Sequence, residues 1–161
     1  MRIEINPPSS FSKKELDEFD KIVVDAGEVQ AAGFRELMGA AHRLVLLYVD
    51  DELAATGAIK IPRDTYKNRV FRKASVPELT NQFPFEAGWI FVSERHRRKG
   101  FSTKILQAIA SELEGQGCYA TTRADNFGMH EIFKRTKFKQ LGQDYKSTNG
   151  DYNLGLFGVS S

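Results

Sequence analysis

One stretch of this chain limits its fold more than any other. Residues 86 to 92, Glu86-Ala87-Gly88-Trp89-Ile90-Phe91-Val92, read as a strand. Residues 100 to 116 place Phe101, Ile105, Leu106, Ile109 and Leu113 on one face at helical spacing. Between them lies a basic turn, Arg97-Arg98-Lys99-Gly100-Phe101-Ser102. A helix start leaves four backbone N–H groups without intrahelical partners, and the macrodipole adds positive charge there. Gly100 lets the backbone approach a bulky anion without a Cβ in the way, and the small Ser102 does the same one step further on. With three cations beside it, such a turn forms a phosphate cradle. A basic run alone more often marks a solvated face. Its place between a strand and a helix favours the cradle.

The rest of the chain supplies elements for an α/β fold. Residues 2 to 5 read as a short edge strand ended by Pro7-Pro8. Ser12-Lys13-Lys14-Glu15 is a capping box, and the helix after it buries Leu16, Phe19, Ile22, Val23 and Ala26 before Gly27. A second helix is expected over residues 28 to 41. Strands follow at 43 to 49 and 53 to 61, joined by the turn Asp50-Asp51-Glu52. Residues 62 to 85 are the least regular part, with Pro62, Pro77 and Pro84 and five cations; Ser75-Val76-Pro77-Glu78 reads as a second capping box. Beyond the central helix come a strand at 118 to 123, a short helix at 127 to 135, and strands at 138 to 145 and 153 to 159. No repeat or linker interrupts 161 residues, so the expectation is one α/β domain over residues 1 to 161.

Net charge is only +2 but unevenly spread. Residues 13 to 28 hold six acids and three bases, whereas 94 to 104 carry Arg95, Arg97, Arg98, Lys99 and Lys104 against Glu94. Cys118 is the single cysteine, which excludes an internal disulfide, and His42, His96 and His130 show no ligand spacing, so no metal is expected. No apolar run approaches a membrane span, and MRIEINPPSSF lacks a signal-peptide stretch. The expectation is a cytoplasmic protein with no membrane partner.

At Arg97, Gly100 and Ser102 the chain resembles the GNAT superfamily, the Gcn5-related N-acetyltransferases. That family's central motif is Gln or Arg, two residues, Gly, one residue, then Gly or Ala; Ser102 stands for the last small residue. Asn126, the helix after it and Lys137-Phe138 resemble the second motif. The likeness is specific over residues 86 to 138 and topological elsewhere. It implies a mixed sheet of six to seven strands flanked by four helices, with an insertion at 62 to 85. It implies that acetyl-CoA is the co-substrate, its pyrophosphate held by backbone N–H groups of Arg97, Arg98, Lys99, Gly100, Phe101 and Ser102. Phe91 and Val92 would pair with the pantetheine amides as an added strand, and Asn126 and the helix carrying Phe133 would line the other wall. Phe133 stands where the family often has a proton-donating Tyr, and it cannot donate. Lys137 stands where a Gly is usual.

Acyl transfer to an amine needs a neutral nitrogen, so a carboxylate or histidine must take a proton. Glu86, eleven residues before Arg97, is the candidate base; the alternative is a solvated carboxylate at a strand end. His130, Tyr145 and Tyr152 are weighed as acids, His96 is expected to face solvent, and Cys118 to pack as a small hydrophobe. Direct transfer in a ternary complex is then preferred to an acyl-cysteine, with the oxyanion stabilised by strand N–H groups. Two other classes stay open: a CoA-binding module without catalysis, and a nucleic-acid-associated protein using the basic 62 to 85 segment with Tyr66 and Phe71. A net charge of +2 argues against duplex binding. The partners expected are acetyl-CoA, an unidentified amine and, as is frequent among similar proteins, a second copy of the chain.

Overall fold

In the computed structural model, which describes residues 1–160, Ser12 and Glu15 form the expected capping box. Ser12 Oγ accepts from Glu15 N at 3.1 Å and Glu15 Oε1 accepts from Ser12 N at 2.9 Å. They open α1 (Lys13–Asp25), which buries Phe19 and Val23. Around it the chain forms β1 (Arg2–Asn6), α2 (Phe34–Gly39), β2 (Arg43–Val49), β3 (Glu52–Lys60), α3 (Asp64–Lys73), β4 (Phe85–Val92), α4 (Phe101–Leu113), β5 (Cys118–Arg123), α5 (Phe127–Arg135), β6 (Lys139–Lys146) and β7 (Asn153–Val159). Short 3-10 turns occupy Pro8–Ser10, Pro77–Gln82 and Glu94–His96. The strands form one seven-stranded mixed sheet in the order β1-β2-β3-β4-β5-β7-β6. Only β4 and β5 run parallel among the registered pairs, matching Phe85 with Cys118 and Glu86 with Tyr119. No helix among the described residues is long and apolar enough to cross a membrane.

Two compact units share this chain. The first comprises Met1–Lys60 and Ala87–Glu112. Its meander β1-β2-β3 is antiparallel, with Arg43 opposite Ile59 and Ile3 opposite Leu47. The interior of β2 is buried throughout, as its unbroken apolar run requires. Phe19, Val23, Phe34, Met38, Leu44, Leu46 and Ala58 form the core, with Trp89 and Phe91 packed against it.

The second unit comprises Ile61–Glu86 and the chain from Leu113 onward. Here β5 pairs with β7 and β7 with β6, both antiparallel. Phe71, Ala74, Phe83, Tyr119 and Leu156 make one cluster. Phe133 stacks on Phe157 at 4.7 Å and lies 5.2 Å from Phe138. Cys118 is buried, as a small hydrophobe in a strand should be.

Three elements differ from the sequence reading. The second helix spans only Phe34–Gly39, because Gly27 and Gly33 both take left-handed backbone, at φ +81° and +80°, and the chain between them turns. Residues 62 to 85 contain a full helix, α3, whose Tyr66, Val70, Phe71 and Ala74 fall at helical spacing among its cations. The second capping box does not form. Ser75, at φ +67°, is the left-handed residue that ends α3, and Pro77 opens a 3-10 turn with no side-chain cap.

Candidate active site

The basic turn begins where β4 leaves the sheet. Trp89, midway along β4, has φ +50°, a conformation a bulky residue takes only when its surroundings enforce it. The enforcement is visible: Thr56 Oγ1 donates to Trp89 O at 2.8 Å, and the indole meets Phe34 edge-on at 4.9 Å. Beyond β4, Ser93 N donates to Ala54 O at 2.8 Å, and Arg95 reaches both carboxylate oxygens of Glu52 at 3.0 and 3.1 Å. Arg95 is therefore committed to an ion pair.

His96 is not the solvent-facing residue that its basic neighbours suggest. Its 3-10 turn rolls the ring inward to 7 % exposure, 6.3 Å from Phe101. Nε2 lies 3.5 Å from Glu52 Oε1 without hydrogen-bond geometry.

The next residues turn the chain into α4. Arg98 and Gly100 both adopt left-handed backbone, at φ +65° and +78°, with Lys99 between them. Backbone turns of this kind can direct neighbouring N–H groups to one side, the arrangement called a nest. A Cβ at Gly100 would meet nothing within 4 Å. Arg97, Arg98 and Lys99 are exposed, and Arg97 Nε donates to Val92 O at 3.4 Å, tying the loop back to the end of β4. Phe101 is buried, and Ser102, Phe91 and Val92 are half-buried. The first unit thus brings Phe91, Val92 and residues 97 to 102 together at one end of β4.

Glu86 lies in the second unit and is not a solvated strand-end carboxylate. It is 7 % exposed, and Tyr66 Oη donates to its Oε2 at 3.3 Å. Tyr119, its partner in the β4–β5 ladder, is fully buried, and its hydroxyl has no hydrogen-bond partner among the described residues. Burial first, and the charge of Glu86 second, raise the phenols of Tyr66 and Tyr119 above their ordinary range and push Tyr145 up to about 12. All three stay protonated near neutral pH. Tyr145 lies on β6; Tyr152, just before β7, carries the Arg123 guanidinium over its ring at 3.9 Å. From the sequence, Glu86 and Tyr145 are acid–base candidates, Tyr66 figures only in the nucleic-acid alternative, and Tyr119 has no role. The helical spacing that puts Tyr66 on α3 was a signal in the sequence, whereas the ladder that sets Tyr119 opposite Glu86 exists only in the folded sheet.

In α5, Asn126 is a helix cap with both ends of its amide engaged. Oδ1 accepts from Met129 N at 3.1 Å and Nδ2 donates to Thr122 Oγ1 at 3.3 Å. Phe133 is 2 % exposed within its aromatic stack. His130 Nε2 lies 3.2 Å from Arg123 O; a carbonyl only accepts, so that nitrogen carries a proton already committed to the backbone. Lys137 takes the left-handed conformation, φ +69°, that a glycine would adopt there, and Phe138 N donates to Phe133 O at 2.9 Å to close the helix end.

The profile of the Acetyltransferase (GNAT) family matches residues 9–138. The chain belongs to the GNAT acetyltransferase family. Its fold is similar to that of a GNAT-family acetyltransferase from Bacillus cereus, at 15% identity and a TM-score of 0.72 over 100% of this chain and 99% of that one. It is also similar to the ribosomal-protein-S18-alanine N-acetyltransferase of Escherichia coli, at 16% identity and TM-score 0.67, covering 99% and 94% of the two chains. An aminoglycoside 6'-N-acetyltransferase solved with coenzyme A matches at 13% identity and TM-score 0.70, covering 99% and 97%. No curated protein sequence gives a significant match. At these identities the solved structures establish a common GNAT fold, and the family match spans residues 97 to 102.

Proposed function

We propose that this GNAT-family protein is an N-acetyltransferase that moves an acetyl group from acetyl-CoA to a primary amine, both bound at once. The observation that carries the reading is the pair of left-handed residues Arg98 and Gly100, which lead into α4 with room for a Cβ at Gly100 and three exposed cations beside it. That donor set fits a pyrophosphate, which needs several convergent N–H groups and positive charge. Backbone N–H groups from Arg97 to Ser102 hold it, and the end of β4 at Phe91 and Val92 receives the adjoining amide arm. Asn126 and Phe133 contribute by fixing the start and the packing of α5. When bound, acetyl-CoA supplies an activated acetyl group. Glu86 takes the proton of the attacking amine: the N–H bond breaks, its electron pair remains on nitrogen, and an O–H bond forms on the carboxylate. The phenols of Tyr66, Tyr119 and Tyr145 remain neutral and do not compete for that proton.

A CoA-binding module without turnover is the second reading, supported by Phe133 in place of a proton donor. Calorimetric titration with acetyl-CoA, followed by CoA release with a panel of primary amines, separates the two. Turnover that drops about a hundredfold in Glu86→Gln, with acetyl-CoA affinity unchanged, supports the enzyme. Binding without turnover on any amine supports the module, and absence of binding defeats both.

A further inference from the structure

A carboxylate beside an anion-binding turn opposes the charge of the turn. The first unit has one. Glu52 opens β3, and its Oε1 lies 3.5 Å from Nε2 of His96, the residue before Arg97. By its field alone Glu52 weakens the attraction of residues 97 to 102 for a polyanion, so its presence there calls for another reason.

We propose that Glu52 is a positioning residue for the basic turn: it fixes the stem, residues 93 to 96, from which Arg97 to Ser102 leave the sheet. This role rests on the assignment of residues 97 to 102 to pyrophosphate. The side chains of the stem do not secure its inward fold by their own hydrogen bonds. Ser93 Oγ and both ring nitrogens of His96 are buried and make no hydrogen bond among the described residues. Tyr119 Oη is the one other buried side-chain atom of this kind among those residues. Such atoms cost stability, so contacts from outside the stem must keep it in place. The start of β3 supplies them. Ser93 N donates to Ala54 O at 2.8 Å. Two residues earlier on the strand, the two oxygens of Glu52 accept from Arg95 Nη1 at 3.1 and 3.0 Å, and one of them also faces His96. One carboxylate thus reaches two of the three residues of the 3-10 turn Glu94–His96.

Glu52 is itself held. It pairs with Val49 across a two-residue hairpin turn. Asp50 and Asp51 in that turn both take left-handed backbone, at φ +49° and +63°, as tight turns matched to strand twist require. Arg2 Nη1 donates to Asp51 Oδ1 at 3.1 Å, tying the turn to β1. The hairpin therefore delivers the carboxylate to the stem with little freedom. The Arg95 and Glu52 side chains are 75% and 45% exposed, so their pair adds little to global stability and its removal leaves the fold intact.

The test is Glu52→Gln in the full chain, which keeps the size of the side chain and removes its charge. Field and positioning predict opposite signs. Loss of a nearby negative charge alone should tighten acetyl-CoA binding by about two- to fivefold at low salt. Loss of the anchor should weaken it by about tenfold. Glu52→Ala, which also removes the reach, should weaken binding at least as much. Calorimetric titration with acetyl-CoA reads the affinities. Without ligand, nitrogen-15 amide spectra of Glu52→Gln should show displaced signals for residues 95 to 100 and unmoved signals for β6 and β7. Affinity that is unchanged or tighter in Glu52→Gln overturns the proposal. Unmoved signals at the turn, or a displacement spread equally over β6 and β7, also overturn it. If the turn signals alone move while the wild type binds no acetyl-CoA, Glu52 still positions the turn and the pyrophosphate assignment is what fails.

Discussion

Replacing Gly100 with valine separates what the nest does for the fold from what it does for the ligand. Gly100 has φ +78° with open space where a Cβ would project. The substitution therefore meets no steric block within the protein, only the left-handed backbone penalty of about 1–2 kcal/mol. For a chain of this size that corresponds to a fall in Tm of roughly 2–8 °C. In the wild type, acetyl-CoA at a hundred times its Kd should add about 2.7 kcal/mol, or roughly 5–11 °C. A valine side chain in front of the nest should weaken binding by about a hundredfold or more, which leaves about 0.4 kcal/mol and roughly 1–2 °C at the same concentration. Gly27 provides the matched control: φ +81°, again nothing within 4 Å, at the end of α1. Gly27→Val should lose a similar amount of stability yet keep the full ligand-dependent rise. Thermal unfolding followed by circular dichroism, with and without acetyl-CoA, reads all of these quantities. A Gly100→Val protein that retains the wild-type rise would refute the assignment of the nest to pyrophosphate.

Two further outcomes follow from residues at which the chain departs from the family pattern. Lys137→Gly should raise Tm by roughly 1–4 °C, because relief of the left-handed strain at φ +69° outweighs the added freedom of the unfolded chain by about 0.5–1 kcal/mol; an unchanged or lowered Tm would show that the lysine side chain contributes a compensating contact. Phe133→Tyr should destabilise by about 1–3 kcal/mol, since the ring is buried between Phe138 and Phe157 and an added hydroxyl there needs a partner; wild-type stability in denaturant titration, with activity preserved, would mean that the hydroxyl reaches a partner or solvent.

Local signals were legible in the sequence wherever one element contained its own cause. The capping box at Ser12, the apolar run of β2, the helical face of α4 and the limits of β5, α5 and β7 depend on neighbours within a few residues, and each stands where its pattern puts it. The Arg97–Ser102 turn belongs to the same class, because a helix start, a glycine and three cations are contiguous. Alternating left-handed backbone at Arg98 and Gly100 adds the geometry but not the idea. α3 was obscured because its apolar positions are interleaved with cations and bounded by prolines, and composition there resembles a loop.

The surroundings of each chemical group were decided by tertiary structure alone. Nothing near His96 in the chain says that its ring turns inward onto Phe101, since that depends on how a three-residue turn meets α4. Asn126 reads as part of a motif, yet its amide is spent on Met129 and Thr122. Glu86 is the clearest case. One hydrogen-bond donor to it, Tyr66, lies 20 residues earlier on α3, and its ladder partner Tyr119 lies on β5. Sequence alone determined that a carboxylate stands at the head of β4. Burial, that donor and the phenols around it arise from contacts between elements far apart in the chain, and these exist only once α3 has docked on β6 at Gly142 and brought Tyr66 to the carboxylate.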